Sequence, residues 1–246
     1  MENGIIKIEL HARRLVIIYL LGIFREGLKH FSKTKMIGLY EKGKEGISEH
    51  LSYPENAIYR NSDQSYLSHQ PLVSYNVEND TLAVVMPLQN RVFEYTTNDT
   101  TFSWVNTYDL ELQSFRSPQG ISYKDQHKNG LKGFGRQNEL NYVYNMANSQ
   151  ILNIDYTGGA LMIAYKTGAT SATQLSSYTE ALALAKKEGK TITAFFIKGE
   201  RVFEAEESFE RSARISESQF IAPFINEEVE SDYSKYYIYE LKKTKR

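Results

Sequence analysis

Hydrophobic and polar residues alternate in short runs from Leu72 onward, and turn-forming residues separate the runs. Alternation with a period of two is typical of strands, and β-branched and aromatic residues favour that conformation. The pattern predicts four strands of five or six residues, joined by connections of three or four: LVSYNV, TLAVVM, RVFEYT and TFSWV. Because connections this short join antiparallel neighbours, the segment predicts a four-stranded meander.

Two further groups of strand-like segments follow. The second group begins at Asn138 and contains NELNYVYNM, QILNIDY and ALMIAYKT. The phrase that begins at Tyr75 aligns with the one that begins at Tyr144, so we interpret this group as a fainter copy of the first. The third group, in the C-terminal third, contains TITAFFI, RVFEAEE, SQFIAPFI and YSKYYIYELK. Between them, the run from Tyr178 to Gly189 has helical spacing and ends on glycine, which predicts a short helix.

Repeated four-stranded meanders without long helices between them predict an all-β fold. We interpret them as a β-propeller-like array in which each sheet packs against the next. At roughly 40 to 50 residues for each blade, the chain holds about five. A β-sandwich stays open as an alternative, because short alternating strands are common to both architectures. We assign residues 51–246 to this domain and residues 1–50 to a separate N-terminal segment.

The N-terminal segment lacks the regular pattern of short strands and turns that the rest of the chain shows. A strand is predicted at Ile5 to Leu10, and the run from Ala12 to Phe31 carries two conflicting signals. Its leucine and phenylalanine residues recur at near-helical spacing, whereas the β-branched residues at 16–18 favour a strand. The pattern leaves this segment open between a helix and divergent strands.

The stretch ARRLVIIYLLGIF has two arginines followed by apolar residues, which is the arrangement of a short signal sequence. Two glutamates precede it, no small-x-small cleavage site follows it, and the apolar run is too short to span a bilayer. We therefore predict a helix or strand here, with neither a signal peptide nor a membrane span.

Composition and charge narrow the classes of function. The formal net charge is −1, so no global field attracts nucleic acid or an anionic membrane. There is no cysteine, which removes disulfides and thiolate metal sites, and the five histidines show no metal-ligand spacing. Neither a nucleophile elbow nor a phosphate-binding loop is present. We expect no cofactor, no metal site, and no nucleic-acid partner.

Three stretches carry a family resemblance: PLVSYNVENDTLAVVMPLQNRVFEY, TAFFIKGERVFEAEE and FIAPFINEEVESDYSKYYIYELK. They resemble a family of six-bladed β-propeller proteins of the bacterial cell envelope, many of which are lipoproteins of unknown function. The resemblance covers about residues 70–242 and implies export to the periplasm or cell surface. This chain departs from the family's usual lipidated leader and length, so it resembles an N-terminally shortened member. The resemblance carries no catalytic residues.

Two kinds of motif have a structural and a functional interpretation. Asp109 with Glu111, and Glu204 with Glu206, share a strand face by the period of two, as a glycoside-cleaving pair requires. Same-face charges also occur on any solvated sheet, which is the interpretation we favour. The Asn-Asp-Thr tripeptide occurs twice, and we interpret both copies as hairpin turns rather than glycosylation or calcium sites.

The connection from Asn106 to Gln137 is too long for an ordinary hairpin, and long loops in compact domains are often functional. Its aromatic and cationic side chains are suited to contacting a glycan or a peptide. These candidate ligand-binding residues are Tyr108, Arg116, Tyr123, Lys132 and Arg136. The competing interpretation is another irregular strand pair that these side chains cover.

Two functional hypotheses follow. The first is a non-enzymatic binding or scaffold protein of the bacterial cell envelope, with a protein or a carbohydrate as ligand. The alternative is a polysaccharide-acting enzyme, a hydrolase or a lyase, on a β-propeller scaffold, because one scaffold hosts many chemistries.

Overall fold

In the computed structural model of the protein, most of the described residues lie in β-strands, which confirms the all-β prediction. The described residues are 5–10, 14–19, 35–39, 45–46, 48–60, 64–66, 70–76, 78–98, 101–122, 143–157, 159–169, 172, 178–206, 213–216, 218–224 and 235–242. Three of the predicted ligand-binding residues, Tyr123, Lys132 and Arg136, lie outside this set.

The strands are numbered in chain order. They are β1 (Ile5–Leu10), β2 (Arg14–Tyr19), β3 (Lys35–Leu39), β4 (Ser48–Ser52), β5 (Gln64–Ser65), β6 (Leu72–Asn76), β7 (Thr81–Val85), β8 (Arg91–Asn98), β9 (Thr101–Asp109), β10 (Ile121–Ser122), β11 (Gln150–Thr157), β12 (Ala160–Lys166), β13 (Thr191–Ile197), β14 (Glu200–Ala205), β15 (Ala213–Arg214), β16 (Gln219–Phe224) and β17 (Lys235–Glu240). Helix α1 (Tyr178–Glu188) follows β12, and a helical stretch at residues 143–147 precedes β11.

Strands β6 to β9 form one antiparallel sheet in chain order, which confirms the predicted meander. Each strand begins at the residue predicted for it, and β8 and β9 continue further, to eight and nine residues. The first Asn-Asp-Thr tripeptide lies in the β6–β7 turn, where Asp80 has a φ of 50°. A positive φ is tolerated by aspartate in turns, so the turn interpretation holds there. Residues 99–100 of the second tripeptide are outside the described set.

Strands β11 to β14 form a second four-stranded antiparallel sheet, also in chain order. Our grouping of these strands was wrong, because QILNIDY and ALMIAYKT share this sheet with TITAFFI and RVFEAEE. Helix α1 confirms the predicted helix and lies in the connection between β12 and β13, at residues 167–190. Because we predicted strand pairs from short connections, we did not predict the pairing of β12 with β13 across this long one.

The segment NELNYVYNM does not form the strand that we predicted across its described part. Residues 143–147 are helical, whereas Tyr75 lies on strand β6. The alignment of Tyr75 with Tyr144 is therefore not a structural repeat. Strand β11, which begins after this helical stretch, is the first strand of its sheet.

Smaller sheets flank the two complete ones. β1 pairs with β2, β3 pairs with β4, and β15, β16 and β17 form a three-stranded sheet. β2 also lies beside β3. The predicted strand at Ile5 to Leu10 is confirmed, and the conflict beyond it is settled as a strand for Arg14–Tyr19. In the long connection, β10 pairs with β5, which precedes β6 in the chain, so the described part of the connection holds one strand of an irregular pair and not both.

Successive sheets stack face to face, and strand β7 shows this most clearly. Its Leu82 and Val84 pack into a core with Met36 of β3. The alternate residues Ala83 and Val85 pack into a second core with strands of the next sheet. Because both faces of β7 are buried, its sequence is a continuous apolar run instead of an alternating one.

Strand β12 repeats this arrangement one layer further along. Leu161 and Ile163 face the core shared with β7, whereas Met162 faces a third core that contains Phe220 of β16. A two-sheet sandwich buries one face of each sheet and leaves the other in solvent. The β3–β4 pair, the two complete sheets and the β15–β17 sheet instead form a series of four layers, so the sandwich alternative is wrong.

Helix α1 packs against the second complete sheet's connections through small side chains. Ala181 is fully buried in a cluster with Ala147, Ala169 and Ala172. Among the described residues, no helix has the length and apolar character needed to cross a membrane.

Candidate functional site

A cluster of polar side chains lies at the seam between the β6–β9 sheet and the β11–β14 sheet. Val92 of β8 packs into the core that the two sheets share. Glu94, two residues later, lies on the same face because side chains alternate along a strand. Tyr108 is paired with Val92 across the β8–β9 ladder, and Tyr156 of β11 belongs to the shared core. Three strands thus bring one carboxylate and two tyrosines together, and we call these residues the Glu94 cluster.

Glu94 accepts hydrogen bonds from both tyrosines of the cluster. The hydroxyl of Tyr156 donates to Oε1 at 3.1 Å, and the hydroxyl of Tyr108 donates to the same atom at 3.4 Å. Burial raises the pKa of both tyrosines well above its usual value of 10, and the charge of Glu94 raises it further. Both hydroxyls therefore remain protonated donors up to strongly alkaline pH.

The other oxygen of Glu94, Oε2, has no hydrogen-bond partner within the described residues. The buried side-chain atoms that lack a partner there are Gln89 Oε1, Asn90 Oδ1 and Thr157 Oγ1, so Oε2 is not sealed from solvent. A carboxylate that is fixed through one oxygen and open at the other can accept hydrogen bonds from ligand hydroxyl groups or pair with a cation.

Neighbouring groups hold the two tyrosines in place. Ser74 of β6 accepts a hydrogen bond from the backbone N–H of Tyr156 at 3.0 Å and donates to Asp155 Oδ1 at 3.3 Å. The β13–β14 turn packs on the ring of Tyr108, since a Cβ at Gly199 would lie 3.4 Å from its Cγ. The cluster is thus supported from both sheets, which limits the movement of its donors.

A second group of polar side chains also connects the two complete sheets. Arg201 Nη1 donates to Glu204 Oε2 at 2.6 Å and to the backbone oxygen of Glu111. The hydroxyl of Tyr165 donates to Oε1 of Glu204. Both oxygens of Glu204 are therefore occupied, and this group serves to join the sheets.

Two of the predicted ligand-binding residues are described. Tyr108 belongs to the Glu94 cluster, half-buried at the end of β9. Arg116 follows β9: its guanidinium donates to the backbone oxygen of Gly168 at 3.0 Å, and its backbone N–H donates to Ser149 Oγ at 3.0 Å. Arg116 therefore links the long connection to the residues that precede β11 and follow β12. The sequence gives no signal of this structural role.

Neither predicted carboxylate pair lies on one strand, because β9 ends at Asp109 and β14 ends at Ala205, and three of the four carboxylates form ion pairs instead. Asp109 bonds to Arg91 Nε at 2.6 Å, whereas the side chain of Glu111 is exposed. Glu204 is bound as described above, and Glu206 pairs with Lys190 Nζ at 2.7 Å. The described residues contain no cluster of acidic or histidine side chains suited to a metal ion.

Sequence reasoning missed Glu94 and Tyr156. A signal for Glu94 exists, because RVFEYT places an acid on the face of the strand that also carries Val92. A charged residue at a core-facing strand position usually has a buried partner. Tyr156 gives no such signal, since a tyrosine in a strand is common.

Comparisons with known proteins bear on the fold. No protein-family model matches the chain, and no curated protein sequence matches it significantly. A solved structure of a member of the DUF4221 family from Bacteroides vulgatus ATCC 8482 matches with a TM-score of 0.64 and 10% sequence identity. The chain shares its fold with that protein. The match covers 97% of this chain, which spans 64% of the length of the Bacteroides protein.

Proposed function

We propose that the chain is a non-enzymatic binding protein of the bacterial cell envelope, with a β-propeller-like arrangement of its sheets and the Glu94 cluster as its ligand contact. The envelope location rests on the resemblance described above. Fractionation of the native cells tests it, with recovery in the periplasm or at the cell surface as the expected result and recovery in the cytosol as the contradicting one.

Contacts between strands support the propeller-like arrangement. The first strands of the two complete sheets, β6 and β11, lie side by side, and β9, the last strand of the first complete sheet, contacts β4, the second strand of the β3–β4 pair. A radial array keeps first strands together at its centre and last strands at its rim.

The single observation that carries the binding proposal is the open oxygen of Glu94 between two tyrosines. A carboxylate acceptor suits a sugar, which presents several hydroxyl groups. A carbohydrate is therefore the ligand that we favour, and the predicted residues of the long connection are proposed as further contacts. A protein ligand is the other outcome that the test distinguishes.

The test compares two replacements that each remove one negative charge. Purified protein is screened against a panel of envelope glycans and envelope proteins, and any ligand found is titrated by calorimetry. Glu94→Gln should weaken binding at least tenfold, because the amide replaces one acceptor by a donor. Glu111→Gln removes the same charge from an exposed side chain and should leave affinity within about twofold.

Two results contradict the proposal. One is the absence of binding across the whole panel, and the other is a ligand whose affinity is the same for both variants. Release of products from a polysaccharide during the screen would favour the hydrolase or lyase alternative, which no contact among the described residues specifically supports.

A further inference from the structure

The Glu94 cluster carries a negative charge that the described part of the protein does not balance. Glu94 is partly exposed, and its hydrogen bonds within the described ranges come from the hydroxyls of Tyr108 and Tyr156. Both donors are neutral, and the ion pairs formed by the described residues involve other carboxylates. The open oxygen of Glu94 therefore faces its ligand as part of a full negative charge.

The second polar group between the two complete sheets shows the same chemistry with a cation added. The hydroxyl of Tyr165 donates to Oε1 of Glu204. The Glu94 cluster repeats this arrangement, with Tyr156 as a donor to Oε1. At Glu204, however, the guanidinium of Arg201 donates to Oε2 at 2.6 Å. Oε2 of Glu94 is the corresponding atom, and within the described residues no guanidinium or ammonium group reaches it.

The tyrosine pKa values differ in the same way. Burial raises the pKa of Tyr165, its bond to Glu204 raises it further, and the charge of Arg201 partly opposes both effects. Burial and the charge of Glu94 also raise the pKa of Tyr108 and of Tyr156, but no basic residue opposes these effects there. Positive charge thus acts on the Glu204 group and is lacking at the described part of the Glu94 cluster.

The described arginines between residues 70 and 206 have other partners. Arg91 bonds to Asp109 at 2.6 Å, and Arg201 bonds to Glu204. The guanidinium of Arg116 donates to the backbone oxygen of Gly168 at 3.0 Å. Each of these positive charges is therefore held away from Glu94, and a ligand has to supply the charge that balances it.

We propose that the Glu94 cluster recognises a positively charged amine, and that its ligand is an amino sugar with a free ammonium group. This inference rests on the proposed function and narrows the class of carbohydrate. An ammonium group offers Oε2 what Arg201 offers Glu204, namely N–H donors and a positive charge. Because a hydrogen bond assisted by charge is roughly twice as strong as a neutral one, an ammonium group is preferred over a sugar hydroxyl.

The test compares two tetrasaccharides that differ only in the groups on their nitrogen atoms. Tetraglucosamine carries free amines, which are charged at about pH 6, whereas tetra-N-acetylglucosamine is neutral. In calorimetric titrations of the unaltered chain, tetraglucosamine should bind about fivefold more tightly or better. Raising sodium chloride from about 0.05 M to about 0.5 M should weaken its binding and should hardly affect the neutral ligand. Since this comparison uses the unaltered chain, it does not depend on the folding of a variant.

Variants locate the preference at Glu94. Glu94→Gln removes the negative charge, so the two tetrasaccharides should then bind with affinities within about twofold of each other. Glu111→Gln, which removes the same charge from an exposed side chain, should preserve the preference for tetraglucosamine. A preference that survives Glu94→Gln would overturn the proposal.

The long connection offers its own cations, and a further pair of variants tests them. Lys132→Gln and Arg136→Gln should leave the affinity for tetraglucosamine unchanged or lower it. A higher affinity in either variant would show that this side chain competes with the ligand for Glu94, which overturns the proposal.

The outcomes separate this inference from the proposed function. Equal affinity for the two tetrasaccharides in the unaltered chain, together with weaker binding of both by Glu94→Gln, overturns the ammonium inference and leaves the proposed function in place. Binding of tetralysine but not of tetraglucosamine also overturns it, because the ligand is then a peptide. If neither tetrasaccharide binds, this inference fails, whereas the proposed function fails only when the whole panel shows no binding.

Discussion

Glu94 couples the two complete sheets through a single oxygen. It lies on β8, and one of its two donors, Tyr156, belongs to the neighbouring sheet. Both donors approach Oε1 and leave Oε2 open. Loss of a donor hydroxyl therefore weakens the seam, whereas loss of the carboxylate changes what the open oxygen binds.

Replacing each tyrosine of the cluster by phenylalanine should have unequal effects on stability. Tyr156→Phe removes the shorter hydrogen bond and should lower the free energy of unfolding by about 1–2 kcal/mol. Tyr108→Phe removes a bond of 3.4 Å and should cost about 0.5 kcal/mol. Urea unfolding followed by circular dichroism checks both values. If Tyr108→Phe proves the more damaging variant, the assignment of the stronger donor is wrong.

At this scale the sequence predicted part of the site. Tyr108 was selected as an aromatic residue of the long connection, but its role depends on Glu94 and Tyr156, which lie 14 and 48 residues away in the chain. Strand alternation shows which residues share a face within one sheet. It does not show which sheet packs on that face, so a cluster formed across a seam is not readable from one strand.

Among the elements, short antiparallel meanders were predictable and the long connections were not. Strands β6 to β9 begin where their turns predict, because connections of two to five residues fix the neighbour of each strand. The pairing of β12 with β13 was missed because α1 intervenes. The helical stretch at 143–147 was predicted as a strand, and it packs through Ala147 against α1. Tertiary packing thus outweighs the strand propensity of its tyrosine and valine residues.

Helix α1 should be sensitive to size on its buried side. Ala181 is fully buried among other alanines, whereas Ala183 is exposed. Ala181→Leu should lower the free energy of unfolding by about 1–3 kcal/mol through overpacking. Ala183→Leu is the matched control and should change it by less than about 0.5 kcal/mol. Chemical unfolding of both variants checks the orientation of the helix, and equal effects would contradict it.

In the whole molecule, each complete sheet is covered on both faces and its tyrosines are buried between layers. Burial raises the pKa of Tyr53 to about 12 and that of Tyr59 still further. Both lie in the core between the β3–β4 layer and the first complete sheet, and Tyr108 and Tyr156 lie in the next seam. The stability of these packed layers therefore depends on buried tyrosine side chains that remain protonated.

Stability should fall at alkaline pH. The tyrosine pKa is about 10 in the unfolded chain and higher in the folded state, so only the unfolded state ionises in that interval. The stabilisation is fully present below pH 10 and is lost as the pH rises through 10 toward 12. The urea midpoint should thus decrease between about pH 9 and about pH 11. A constant midpoint across this interval would show that these tyrosines are not buried.

The central claim, that the sheets form a series of layers, is tested most directly on two neighbouring residues of β7. Val84 faces the core on one side of the sheet and Val85 faces the core on the other. The free energies of unfolding of Val84→Ala, Val85→Ala and the double variant are to be measured by urea unfolding. Each single change should cost about 1.5–3 kcal/mol, and the double change should equal their sum within about 0.5 kcal/mol. A cost below about 0.5 kcal/mol for either single variant would place that residue on a solvated face and contradict the layered fold.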